Sequence, residues 1–497
     1  MVQFLKYNRI KTGITHVQNN SIRIGILIFW CVFGIFSIHG QNIQKPNILF
    51  ILTDDLGKEW ISSYGAEEIK TPNIDRLVQT GLKFENFYST PQCTPSRVEL
   101  FTGQYPFRNG WVNHWDVPRW GGGAHFDWNK NPSIARMMQS AGYRTAAVGK
   151  WQVNDFRVQP EAMASHGFDD YCMWTGFEAG NPGSAERYWN PYIHTKKGSK
   201  TYPGQFGEDI FSEFLINFMN KNKNKPMFLY YAMCLTHTPF TSTPAEPNVT
   251  EKYDCHKAMV RYMDFTVGKL IKALDDLGIR KNTIIIYTTD NGTIGQITGK
   301  LNGREVQGGK TKTTENGICE PFVVNCPGLI PEGKTTEALG DLTDILPTCA
   351  NIAGVPLPED YVFDGISLVD VFLGKTDDSP REWIMSMGGD GKGSAAALSE
   401  NGLENEYRFR DRVVRNKEFK LYISSERKPE KLIYLRNDPE EKTNLLLSND
   451  PEIKNEFEKL WEAVVTFPDK DKDPIYEPLY EQSWDKEVTV KSQVWKK

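Results

Sequence analysis

Two adjacent pairs, Asp54-Asp55 and Asp290-Asn291, each stand directly after a run of apolar residues. Together they offer only oxygen ligands, a set that suits a hard cation such as calcium or magnesium and serves zinc poorly. Two neighbouring aspartates repel each other unless a cation lies between them, so a bound metal accounts for the Asp54-Asp55 doublet. Lys150 and His237 follow two further apolar runs. Any one polar residue after a strand is an ordinary turn residue, but four such termini at one sheet edge point to a shared site. The remaining feature is Cys93-Thr94-Pro95-Ser96-Arg97. Pro95 suits the first position of a helix, which puts Cys93 at its N-terminus, where free N–H groups and the dipole favour an anion. Arg97, four residues on, would brace that side chain or a product anion. Cys93 in this setting would make a low-pKa thiolate. A thiolate is a poor companion for a hard cation, so the nucleophile beside such a metal should carry oxygen.

The elements that must position these residues are legible as buried strands alternating with helices, the signature of an α/β sheet. Ile48–Thr53, Thr145–Val148, Phe228–Cys234 and Thr283–Thr289 are short apolar runs, as expected of strands covered on both faces. In open α/β sheets, ligands bind outside the carboxyl ends of the strands. Thr71-Pro72 predicts a helix that Gly81 stops, Ser133 predicts a cap for a second, and 251–277 carries apolar residues at helical spacing. Beyond Gly365 the texture changes. Phe419–Ser424 and Lys431–Asn437 read as short antiparallel strands, followed by a charged helix from Pro451. This divides the chain into a leader over 1–40, a large α/β domain with the site over 41–365, and a small α+β domain with a tail over 366–497.

The chain of 497 residues has 58 Lys and Arg against 63 Asp and Glu, so no basic excess exists to neutralise a phosphate backbone and nucleic acid is not an expected partner. Lys6, Arg9, Lys11 and Arg23 precede an uncharged run from Ile24 to Ile38. That run is shorter than the ~20 residues that span a bilayer and fits the core of a signal peptide. Export is expected, to the periplasm or beyond it to the cell surface or medium, without a stable membrane partner. An uncleaved anchor is the alternative. There are eight cysteines and no C-x-x-C pair, so neither a zinc ribbon nor a thioredoxin-type site is indicated. Loss of Cys31 with the leader leaves an odd number, which singles out one thiol for special chemistry. The six besides Cys93 are expected to be available for pairing.

Cys93–Arg97 resembles the C-x-P-S-R signature of the formylglycine-dependent type I sulfatases. N-I-L-F-I-L-T-D-D, T-P-N-I-D-R-L, T-G-Q-Y-P, G-Y-R-T-A-A-V-G-K-W and T-D-N-G stand in the order of that family, from about Pro46 through Leu446. The resemblance implies an alkaline-phosphatase-like mixed sheet flanked by helices with a smaller C-terminal α+β subdomain. It implies that Cys93 is oxidised to formylglycine by a formylglycine-generating enzyme, and that its hydrate is the nucleophile. Asp54, Asp55, Asp290 and Asn291, with the modified Cys93, would hold one Ca²⁺. Arg97 would orient the nucleophile, Lys150 and Lys310 would bind sulfate oxygens, and His237 would protonate the leaving alcohol. Lys310 is preferred to Lys312 because G-G-K-x-x-x-x-E, ending here at Glu315, is the family spacing.

One departure matters: the family commonly reads G-K-W-H, where this chain has Gln152. Gln hydrogen-bonds but does not accept a proton at ordinary pH. Thr236 and Asn316 also replace a frequent Pro and Gly. The stretch from Trp111 to Trp128 carries five large aromatics interleaved with His114, Arg119 and His125, without a sustained period. It reads as a long functional loop whose Trp115 would stack on a sugar and whose Arg119 would pair with a second sulfate or a uronate. Gln152 is a further substrate-contact candidate. A sulfated polysaccharide or oligosaccharide is therefore the expected substrate, an algal glycan such as ulvan or carrageenan or a host glycosaminoglycan. The competing readings are a two-metal phosphodiesterase of the same superfamily, which needs several His ligands, and an inactive glycan-binding relative, for which Gln152 is the sole support.

Overall fold

The computed structural model describes residues 45–112, 124–156, 158–174, 187–389, 396–399, 402–405, 408–473 and 476–478. Its centre is a ten-stranded mixed sheet. In chain order the strands are β1 (Asn47–Thr53), β2 (Leu82–Tyr88), β3 (Arg144–Lys150), β4 (Asp170–Trp174), β5 (Tyr192–Thr195), β6 (Gly198–Thr201), β7 (Met227–Ala232), β8 (Thr283–Thr289), β9 (Cys319–Asn325) and β10 (Lys334–Asp341). Their spatial order is β10-β2-β9-β8-β1-β7-β3-β4-β5-β6. The run β8-β1-β7-β3-β4 is parallel throughout. The four strands whose ends carry Asp290, Asp54, His237 and Lys150 are thus consecutive neighbours pointing the same way.

β1 is buried along its whole length, and its side chains alternate between two cores. Ile48, Phe50 and Leu52 face one, with α2 (Cys93–Thr102), α3 (Ile134–Ser140) and α6 (Ile345–Ala353). Leu49 and Ile51 face the other, with α1 (Pro72–Gln79), α4 (Gly207–Asn222) and α5 (Lys252–Asp276). A parallel strand covered on both sides has no polar face to offer, which is why it reads as an unbroken apolar run. A second, antiparallel sheet follows: β11 (Ile384–Met387), β12 (Arg412–Arg415), β13 (Phe419–Ile423) and β14 (Pro429–Tyr434), in that order. It packs with α7 (Pro451–Val465) around its own core of Leu421, Ile423, Leu432, Leu460 and Val464.

Three expectations need correction. α2 begins at Cys93 with Gln92 as its N-cap, so Pro95 is the third helical residue rather than the first. Proline is tolerated there because the first N–H groups of a helix lack intrahelical partners anyway. All seven described cysteines are free, so the six besides Cys93 do not pair. Five of these six are buried and fill space as small hydrophobes, while the half-buried Cys319 accepts a hydrogen bond from Lys58. Within the aromatic stretch, Trp111 and Phe126 are fully buried and Trp128 packs against the same core, so these rings belong to the fold and not to a sugar platform. Trp115, Arg119 and Trp120 lie outside the described residues, as do residues 1–40, where a leader is expected. No helix among the described residues is long and apolar enough to cross a membrane.

Candidate active site

The carboxyl edge of β8-β1-β7-β3 brings the expected residues together. Gly149 allows this: its φ is +90°, and a Cβ there would lie 1.8 Å from the Ala232 carbonyl oxygen of β7. Only glycine lets β3 pass so close, and the next residue, Lys150, is thereby aimed over the ends of the neighbouring strands. Asp54 is fixed by its own N–H, which donates to the Leu235 carbonyl, and by the Thr236 N–H, which donates to the Asp54 carbonyl. This latches the end of β1 to the loop that bears His237. Asp55 turns into the left-handed region at φ 60°, a conformation Asp tolerates better than most residues.

The side chains form three buried ion pairs. Lys150 Nζ lies 2.6 Å from Asp54 Oδ2, Lys310 Nζ 2.6 Å from Asp55 Oδ1, and Arg97 Nη2 2.6 Å from Asp290 Oδ2. Arg97 also donates through Nη1 to the Lys150 carbonyl at 3.1 Å. Asn291 Nδ2 donates to Asp55 Oδ1 at 2.8 Å. Cys93, in the first turn of α2, has its sulfur among the carboxylate oxygens of Asp54 and Asp290, all within 4.8 Å of one another. Lys310, not Lys312, therefore reaches the site, as the spacing to Glu315 implies. Glu315 anchors that loop to the second sheet through Arg415 at 3.0 Å and Lys420 at 3.1 Å.

Electrostatics follow from burial. Asp290 is pushed up to about 7 by desolvation and by the nearby Asp54 charge. Burial raises Asp54 too, but Lys150 and Arg97 outweigh it and hold that carboxyl below its ordinary value. His237 Nδ1 lies 2.6 Å from the Thr238 carbonyl, an acceptor, so Nδ1 carries a proton and Nε2 faces Asp55 Oδ2 at 3.7 Å. Burial, then Lys310, Arg187 and Lys150, hold that ring well below its ordinary value. An anion bound among these cations would offset them.

The residues fit a hard cation. Oδ1 of Asp54 and Oδ1 of Asn291 are buried without a hydrogen-bond partner, although both belong to groups that otherwise find one. An orphaned buried oxygen is costly, and two beside a carboxylate cluster are what a metal with oxygen ligands would relieve. Gln152 sits at φ 75° two residues past Lys150, and its Oε1 is also buried and unpartnered. A separate cleft of about 650 Å³, lined by Lys312, Glu315 and Arg415 among others, contains none of the strand-end residues.

The Sulfatase family model matches residues 46–355, a span that contains every strand-end residue above. The chain belongs to the sulfatase family. It is 32 % identical over 359 residues to N-acetylgalactosamine-6-sulfatase of Canis lupus familiaris, covering 67 % of this chain and 66 % of the relative. It is 32 % identical over 372 residues to arylsulfatase A of Bos taurus, covering 69 % and 70 %. The chain therefore spans about two thirds of the length of these curated relatives. Among solved structures, Ps i-CgsB in complex with k-i-k-neocarrahexaose superposes with a TM-score of 0.72 at 24 % identity, covering 91 % of this chain and 97 % of that one. At that identity the likeness speaks for the fold, the alkaline-phosphatase-like sheet with its C-terminal subdomain.

One buried cation beside this sulfatase site is not among the residues expected from the sequence. Arg187 is buried and acts electrostatically on both Asp54 and His237. It follows no buried strand and belongs to none of the motifs. Its sole trace in the sequence is a basic residue opening the aromatic stretch Arg187-Tyr188-Trp189.

Proposed function

We propose that this chain hydrolyses sulfate esters of carbohydrates at the carboxyl edge of β8-β1-β7-β3. The observation that carries this reading is the buried oxygen-only donor set of Asp54, Asp55, Asp290 and Asn291, with two unpartnered oxygens, facing Cys93 in the first turn of a helix. Asp54, Asp55, Asp290 and Asn291 would hold one Ca²⁺, and Cys93 would be matured by a formylglycine-generating enzyme. Once bound and matured, these groups would supply polarisation of the sulfate and an oxygen nucleophile. Arg97, paired with Asp290, orients the side chain at position 93. Lys150 and Lys310 bind sulfate oxygens, exchanging their carboxylate partners for the substrate when the cation occupies the carboxylates. With the sulfate anion bound among the cations that otherwise keep it neutral, His237 takes up a second proton at Nε2 and passes it to the departing alkoxide, the ring being fixed through Nδ1 by the Thr238 carbonyl. Gln152 hydrogen-bonds within the pocket but does not take a proton.

A sulfated glycan is the substrate class, supported by the N-acetylgalactosamine-6-sulfatase relatives and by the oligosaccharide bound to a protein of this fold. The phosphodiesterase reading is less well supported. It needs several His ligands, and among the described residues only His237 joins the carboxylates in a metal-sized cluster. The leader supports export, with the periplasm as destination. The function is tested by releasing inorganic sulfate from a panel of sulfated oligosaccharides and by weighing the peptide that spans position 93. Desulfation with conversion of the thiol to the aldehyde supports the reading. Hydrolysis of phosphodiesters alone, with zinc bound, would overturn it.

A further inference from the structure

We propose that Arg187, stacked on Trp174, is a third sulfate-binding cation of the pocket and touches the oxygens of the ester group being hydrolysed. The proposal rests on the sulfatase reading and names a residue for which neither the strand-end pattern nor the sequence motifs provide.

The guanidinium carbon of Arg187 lies 4.1 Å from the centre of the Trp174 ring. Trp174 ends β4 and is the register partner of Lys150 at the end of β3. The next residue, Tyr188, places its hydroxyl 2.6 Å from the Cys234 carbonyl and 2.5 Å from the His237 carbonyl. Arg187 is therefore held between the Lys150 strand end on one side and the His237 loop on the other. Its influence on both Asp54 and His237 agrees with that position.

Arg187 is 2 % exposed, as deep as Lys150 at 1 % and Asp54 at 0 %. That depth matches the groups expected to meet the reacting anion rather than a substituent at the pocket mouth. Its Nε and Nη1 have no hydrogen-bond partner among the described residues. A buried charge is tolerated only when it meets a counter-charge, and the neighbouring carboxylates already have theirs. Asp54 is held by Lys150, Asp55 by Lys310 and Asp290 by Arg97. A flat guanidinium lying against an aromatic face keeps its N–H donors in its own plane, free for the oxygens of a tetrahedral anion. The missing partner is thus an oxyanion delivered with the substrate. Gln152 adds no charge to the pocket, and Arg187 provides one.

The test compares wild type, Arg187→Gln and Arg187→Lys in calorimetric titration with inorganic sulfate, and in hydrolysis of a small aryl sulfate and a sulfated oligosaccharide. We expect Arg187→Gln to weaken sulfate binding by about tenfold or more. The kcat/KM should fall by at least that factor on both substrates alike, with part of the loss restored in Arg187→Lys. Unchanged sulfate affinity with a lower melting temperature would overturn the proposal in favour of a packing role. A loss confined to the oligosaccharide would overturn it in favour of a contact with the sugar. If Arg187→Gln does not fold, Arg187→Lys carries the test, because a point charge on a shorter side chain loses the planar fork. Wild-type sulfate affinity in that variant would overturn the proposal. A wild type that cleaves no sulfate ester would defeat the sulfatase reading, while the sulfate titration would still read Arg187.

Discussion

Asp290 carries opposing demands at the scale of a single residue. It neutralises Arg97 at 2.6 Å, yet burial and Asp54 push it up to about 7. A carboxyl raised in the folded state costs stability as it ionises. For the metal-free protein that loss falls between about pH 4 and pH 7, where the unfolded chain has already released the proton. A cation among Asp54, Asp55, Asp290 and Asn291 reverses the penalty. The rise in melting temperature on adding Ca²⁺ should therefore be small near pH 5 and larger near pH 7.5, as both values bracket about one carboxyl titration. An equal rise at both pH values, in thermal melts of metal-stripped protein, would contradict this. Replacing Asp290 by Ala removes a ligand and leaves Arg97 buried without its closest carboxylate. We expect activity to disappear, bound calcium to be lost, and stability to fall by about 3 kcal/mol, the usual scale for breaking a buried pair. Gln152 tests a different point. Restoring His there supplies a general base, typically worth ~10²–10⁴-fold in rate, so Gln152→His should raise turnover if proton removal is limiting. A large loss in that variant would instead mark Gln152 as a substrate contact.

At the scale of elements, the Lys310 loop depends on the second sheet. Glu315 lies between Arg415 and Lys420, and Tyr88 donates to it at 2.8 Å. Glu315→Gln should loosen the loop and lower kcat/KM while leaving the β1-β8 centre intact, read as lost activity with near-native far-UV circular dichroism. Unchanged kcat/KM would show that Lys310 is positioned without the second sheet. This scale also explains what was legible in the sequence. Asp54, Lys150 and Asp290 were readable because a strand buried on both faces ends where its apolar run ends, so a polar residue stands out there. Asn291 stands out in the same way, after the buried run that ends at Thr289, whereas Lys310 lies on a loop and is given by motif order rather than periodicity. The sequence places the start of α2 two residues late because proline favours the first helical position but is also tolerated at the third. Arg187 was illegible because a charge buried by tertiary packing has no local signature, and the same holds for Trp111 and Phe126, which pack as core from a stretch without a period.

From Gln44 onward the described residues form one compact unit, and their cysteines are spread over it. Burial pushes the thiols of Cys172 and Cys319 up to about 12, so they are poor nucleophiles and can stay reduced even in an oxidising compartment. Eight cysteines less Cys31 in the leader and Cys93 in its converted form leave six. Thiol titration of the mature, unfolded protein should therefore find six free thiols, and seven would mean that Cys93 is unconverted. The most direct measurement is inorganic sulfate released from sulfated oligosaccharides by calcium-loaded protein matured with a formylglycine-generating enzyme, beside a Cys93→Ala variant prepared in the same way. The expected result is sulfate release by the wild type and none above background by the variant. Equal release by both, or none by a wild type whose Cys93 is fully converted and whose calcium site is filled, would contradict sulfate-ester hydrolysis at this site.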